Sequence, residues 1–199
     1  YMESLPVLQE NFYTSLIEGQ IASDAIGQYA KNYQISLSGP FYVVTILHIS
    51  SNAVGEEDAI RDATLLSMSV KKLAEESLAG KWDSRTVTYL GDIIVITQLA
   101  DEESITHFTD RMDRICKMAK RVCKARVTAG IGHICNRPEQ LSVSYQGAKN
   151  AISYRVLYGT TRAINIAETD PQERGDIPWE GPYIREIIKR IKMGESDAL

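Results

Sequence analysis

Residues 88–97 read Thr88-Tyr89-Leu90-Gly91-Asp92-Ile93-Ile94-Val95-Ile96-Thr97. Strand-forming residues stand on both sides of a Gly-Asp corner, and so short a connection between the runs 85–89 and 93–99 predicts an antiparallel hairpin. Working upstream, Ala59, Ala63, Leu66, Val70 and Leu73 recur at helical spacing until Gly80. Before them the run 41–49 (FYVVTILHI) is β-branched and aromatic over the length of one buried strand. Downstream, Ile105, Phe108, Met112, Ile115, Ala119 and Val122 form an apolar helical stripe behind the acidic triplet Asp101-Glu102-Glu103, which suits a helix N-terminus. Residues 126–134 alternate Val127, Ala129 and Ile131 against Thr128, Gly130 and Gly132, a strand with one apolar and one nearly bare face. Leu141, Tyr145, Ala148 and Ile152 mark a further helix closing near Gly159, and residues 162–166 a short last strand.

The order is β-α-β-β-α-β-α-β. It predicts a ferredoxin-like α/β sandwich with helices on one face of the sheet. Leu5, Leu8, Phe12 and Leu16 place a stripe on a leading helix that ends near Gly19, and a second helix follows through Ile26 and Tyr29. Residues 169–182, with three prolines and two glycines, read as a linker to a last amphipathic helix carrying Ile184, Ile187, Ile188 and Ile191. The expected division is a helical linker or dimerisation segment over 1–36, a domain over 37–168, and a linker with helix over 169–199.

Composition narrows the function. The chain has 199 residues, 44% apolar and 24% charged, with 26 acidic against 22 basic residues and a net charge of -4. That balance argues against a free-standing nucleic-acid binder. No apolar stretch approaches the roughly 20 residues of a membrane span. Three cysteines, Cys116, Cys123 and Cys135, lack C-x-x-C spacing and suggest reduced thiols in the cytoplasm.

The catalytic motifs are weak. Tyr145-x-x-x-Lys149 has the spacing with which short-chain dehydrogenases lower a tyrosine pKa, yet the chain lacks the G-x-G-x-x-G turn that would hold a dinucleotide, so Tyr145 is expected to pack on the sheet. Gly130-Ile131-Gly132 is half such a fingerprint inside a strand. His48, His107 and His133 lie on three elements with no i, i+4 pair, so no metal is expected. Arg185, Lys189, Arg190 and Lys192 are read as a solvated face.

With the element order in place, residues 87–96 resemble the R-x-G-G-D-E-F hairpin of diguanylate cyclase domains. The strand Val127-Thr128-Ala129-Gly130-Ile131-Gly132 and the helix Ser144-Tyr145-x-x-Ala148-x-x-Ala151-Ile152-x-Tyr154 are similar to the matching elements of that fold. The segment Ser144 to Arg155, followed by Tyr158-Gly159, further resembles the central region of AraC-type two-component response regulators. So do residues 8–19, and Pro178-Trp179-Glu180 with the helix after it.

The resemblance implies a diguanylate-cyclase-like βαββαβ core with an additional αβ unit and flanking N- and C-terminal helices. It implies an excised central domain whose partners are a receiver and a helix-turn-helix domain of the same polypeptide, DNA being met only through the latter. A cyclase holds two divalent metals on its hairpin glutamate and a first-strand carboxylate. Those positions fall here on Ile93 and on His48 and Ser50, while Leu90 replaces the first glycine. The inhibitory R-x-x-D site falls on Lys81 and Ser84. The expectation is therefore a regulatory domain without turnover, cofactor or metal, transmitting the receiver's state to the DNA-binding domain. Leu5, Leu8, Phe12 and Leu16 are the candidate homodimer stripe. A small-molecule or nucleotide sensor using Gly91, Asp92, Gly130 and Gly132 is the alternative.

Overall fold

The computed structural model describes residues 4–50 and 56–169. Strands β1 (Phe41–Ile49), β2 (Asp83–Tyr89), β3 (Asp92–Leu99), β4 (Val127–Ile131) and β5 (Ala163–Asn165) form one sheet in the order β2-β3-β1-β4-β5. The pairs β2–β3, β3–β1 and β1–β4 are antiparallel, and β4–β5 is parallel. This is the expected βαββαβ arrangement with one αβ unit added at its β4 edge. The linker expected over 169–182 starts at the last described residue; the rest of it, and the final helix, lie outside the described residues.

Helices cover both faces of the sheet, not one. α3 (Glu56–Leu78) and α4 (Ser104–Met118) bury Val70, Ala74, Phe108, Met112 and Ile115 against Val43, Leu47, Ile93, Val95 and Val127. On the other face α1 (Leu5–Ile17), α2 (Ser23–Asn32) and α5 (Leu141–Ser153) bury Phe12, Leu16, Ile26, Tyr145 and Ala148 against Tyr42, Val44, Ile46, Ile94 and Ile96. The central strands are apolar on both sides, as their unbroken Val/Ile runs require, and a single helical layer would leave half of that surface wet. Helices α1 and α2, from the segment 1–36 expected as a helical linker or dimerisation segment, thus contribute to the second of these cores.

The expected stripe on α4 breaks at its end. Residues Ala119–Cys123 form a π turn closed by Lys124 in the left-handed region (φ 57°). The wider turn shifts the register of the helix face, so that Val122 is 64% exposed while Ala119 stays in the core.

The bare face of β4 is filled from within the chain. A Cβ on Gly130 would come 2.4 Å from the Ala148 carbonyl oxygen, and one on Gly132 would come 1.9 Å from that of Ser144. Helix α5 therefore rests directly on the backbone of the strand, and the Ser144 hydroxyl accepts the Val44 N–H at 2.9 Å. Short helices α6 (Arg155–Tyr158) and α7 (Ile166–Thr169) flank β5.

Candidate functional site

The β2–β3 hairpin closes on the pair Tyr89 and Asp92, which leaves Leu90 and Gly91 as its two loop residues. Their φ angles, 50° and 81°, are both positive, the signature of a type I′ turn. The corner is thus Leu90-Gly91, one residue earlier than the Gly-Asp reading placed it. Asp92 is the first strand residue.

That phase decides where the side chains point. Asp92 lies on the α5 face of the sheet together with Ile94 and Ile96, and Ile93 lies on the α3/α4 face with no exposed surface. The β1–β3 register, which sets Leu47 against Ile93, carries on to bring His48 beside Asp92. His48 Nδ1 and Asp92 Oδ1 are 2.8 Å apart, both side chains about three-tenths exposed. Across β1, His48 pairs with Thr128, whose buried hydroxyl has no hydrogen-bond partner among the described residues.

Aromatic residues wall this corner. Tyr145 of α5 meets Tyr89 edge-on at 6.2 Å, and Lys149 Nζ sits 5.5 Å from the centre of the Tyr145 ring. Burial raises the Tyr145 pKa, and the carboxylates of Asp92 and Glu18 push it the same way. This is the reverse of what a tyrosine base needs. Lys149 lies over the ring, and Tyr145 packs on the sheet as expected from the sequence.

The other expected residues are dispersed. Gly91 stands at the hairpin tip, whereas Gly130 and Gly132 are buried under α5, so these glycines and Asp92 do not line a common cleft. The steric cause is the same close approach of α5 that makes those positions glycine. Phe12 and Leu16, 3% and 2% exposed, belong to the core of their own chain; Leu5 and Leu8 are half-buried. The stripe offered as a dimer face is largely consumed by folding. Cys116 is buried and its thiol is pushed up to about 12 by burial; Cys135, half-buried, is pushed up to about 11 for the same reason. Neither is an activated nucleophile. Among the described residues, no group of three or more His, Cys, Asp and Glu side chains is arranged to hold a metal ion.

Sequence reading singled out His48 and Asp92 separately and missed their contact. The signal for it lay in the ends of the two strand runs: pairing the start of β1, Phe41, with the end of β3, Leu99, carries His48 to the level of Asp92.

A five-stranded mixed sheet whose antiparallel βαββαβ core ends in a tight hairpin defines the α+β class with a cyclase-like core. Within it the chain belongs to the GGDEF-like domain family, whose signature matches residues 18–154. No curated protein matches the chain. No helix among the described residues is long and apolar enough to cross a membrane.

Proposed function

We propose that this chain is a non-enzymatic, degenerate GGDEF-like domain of an AraC-type two-component transcriptional regulator. In this reading it couples a receiver domain to a helix-turn-helix domain of the same cytoplasmic polypeptide. The observation that carries the proposal is the fate of the hairpin carboxylates. The position of the metal-binding glutamate is Ile93, wholly inside the core. Asp92, the acid that remains, is bonded to His48, which stands where a first-strand carboxylate would be.

Two hard divalent cations need several anionic oxygens, and one engaged carboxylate beside a histidine and an isoleucine does not fit them. The resemblance of residues 144–155 to the regulators, together with that of the leading helix, supports the context. The sensor alternative loses the face it invoked, because α5 occupies it.

Incubation with GTP and either magnesium or manganese is expected to yield no cyclic dinucleotide and no released pyrophosphate. Dinucleotide formation above a heat-inactivated control would overturn the non-enzymatic reading. Coding sequence upstream for a receiver with its phosphorylatable aspartate, and downstream for a helix-turn-helix pair, is the expected result for the regulator reading; a different neighbour on both sides would sink it.

A further inference from the structure

The two edges of the sheet are treated differently. At the β5 edge, the Ala163 N–H is taken by the Asp113 carboxylate at 3.1 Å. At the β2 edge no side chain of the described residues takes an outward N–H in this way; the Glu75 carboxylate there meets the Thr86 hydroxyl instead. Because Tyr89 and Asp92 close a two-residue hairpin, they exchange both backbone hydrogen bonds, and the ladder then alternates down the strand. Val87 and Arg85 bond inward to β3. Ser84, Thr86 and Thr88 point their N–H and C=O groups away from the sheet, where no described backbone group meets them.

The charged side chains of β2, which on many edges repel a second strand, are turned elsewhere. Asp83 accepts a hydrogen bond from Gln98 Nε2 at 2.9 Å, and Arg85 is turned to the α1 face, near the Tyr13 hydroxyl. The edge is open, and a groove of about 440 Å³ runs beside it, walled by Glu75, Leu78, Ala79 and Trp82.

We infer that this edge pairs with the same edge of a second copy of the chain, antiparallel and about a two-fold axis through Thr86. The sequence Asp83-Ser84-Arg85-Thr86-Val87-Thr88-Tyr89 is complementary to itself in that register. Thr86 faces its own counterpart and Ser84 faces Thr88, so every outward group finds a partner, with two hydrogen bonds for each pair. Any other outward-to-outward register leaves at least one pair unmade. On the α3 side the neighbours are Ser/Thr against Thr, a favourable cross-strand combination, with the Thr86 hydroxyl donating to the Glu75 carboxylate, so that the two Glu75 side chains flank the axis. On the α1 side Arg85 faces Val87 and Asp83 faces Tyr89, so no like charges of the strand itself oppose one another. The contact is isologous and closed, and it joins two five-stranded sheets into one. It is independent of the regulatory reading and takes no residue from the α1 stripe.

Sedimentation velocity of the full chain over a wide concentration range, with amide exchange followed residue by residue, tests it. The expected result is a twofold rise in mass with concentration. Over the same range, exchange of the Ser84, Thr86 and Thr88 amides slows by roughly tenfold or more, while Arg85 and Val87, already bonded to β3, change little. Thr88→Pro removes an outward N–H without touching the β2–β3 ladder and is expected to stay monomeric with an unchanged circular dichroism spectrum. A strictly monomeric wild-type chain overturns the proposal, and with it leaves the edge to a foreign peptide or to none. A dimer in which the alternate amides of β2 stay unprotected overturns it equally, and that comparison needs no variant to fold.

Discussion

Leu90 is the least comfortable residue at the hairpin. It is 79% exposed and held at φ 50°, so it gains little burial and carries the steric strain of a left-handed branched side chain. Type I′ corners favour Asn-Gly, and Asn tolerates that conformation through local hydrogen bonding. Leu90→Asn is therefore expected to stabilise the domain by about 1 kcal/mol, seen as a higher urea midpoint at unchanged slope. A lower midpoint would mean that Leu90 makes a contact worth more than its strain. The same residue shows how a phase error of one position alters chemistry. With the corner at Leu90-Gly91, Asp92 turns toward His48 and Ile93 goes into the core, so the hairpin presents one engaged carboxylate.

At the scale of elements, the decisive contact is α5 lying on the backbone of β4. Gly132 has no room for a methyl group beneath the Ser144 carbonyl, and the obstacle is helix backbone, which does not rotate aside. Gly132→Ala is expected to cost about 3 kcal/mol or more, measured by equilibrium unfolding, because α5 must lift and uncover Tyr145 and Ala148. A cost below about 1 kcal/mol would show that the helix shifts freely. This contact also marks where sequence reading runs out. The run 41–49 announced β1 in full because a strand buried on both faces needs no polar alternation. The bareness of β4 was equally legible as a face open to close approach, but not the identity of what approaches it. Which element fills a bare face is settled by a contact such as Ser144 to Val44, 100 residues apart, and helical periodicity carries no information about that partner. The exposure of Val122 was hidden for a related reason: the π turn keeps the sequence pattern while changing the angle it projects.

For the molecule as a whole, the buried ionisable groups share one direction. Burial raises Cys116 from 9.0 to about 12 and Cys135 from 9.0 to about 11, and it raises the tyrosines Tyr13, Tyr42 and Tyr145 above 10.0. A group whose pKa is higher folded than unfolded leaves stability intact below the unfolded value. Above it, the unfolded chain sheds a proton that the folded chain keeps, and stability falls until the folded pKa is reached. For the thiols that window opens near pH 9 and runs toward pH 11 for Cys135 and pH 12 for Cys116, with the tyrosines joining above pH 10. Each fully coupled proton contributes a slope of about 1.4 kcal/mol per pH unit. Urea unfolding between pH 7 and pH 10.5 should therefore show no loss from these groups up to about pH 9 and a steepening loss beyond. Cys116→Ala lowers the whole curve by the packing of one buried sulfur, so the informative quantity is its slope above pH 9, which is expected to be shallower than that of the parent chain. Parallel curves would assign the alkaline loss to the tyrosines alone. A break well below pH 9 would require a group of lower unfolded pKa that holds its proton more tightly in the folded chain, and none of the thiols and tyrosines raised by burial here titrates there in the unfolded chain.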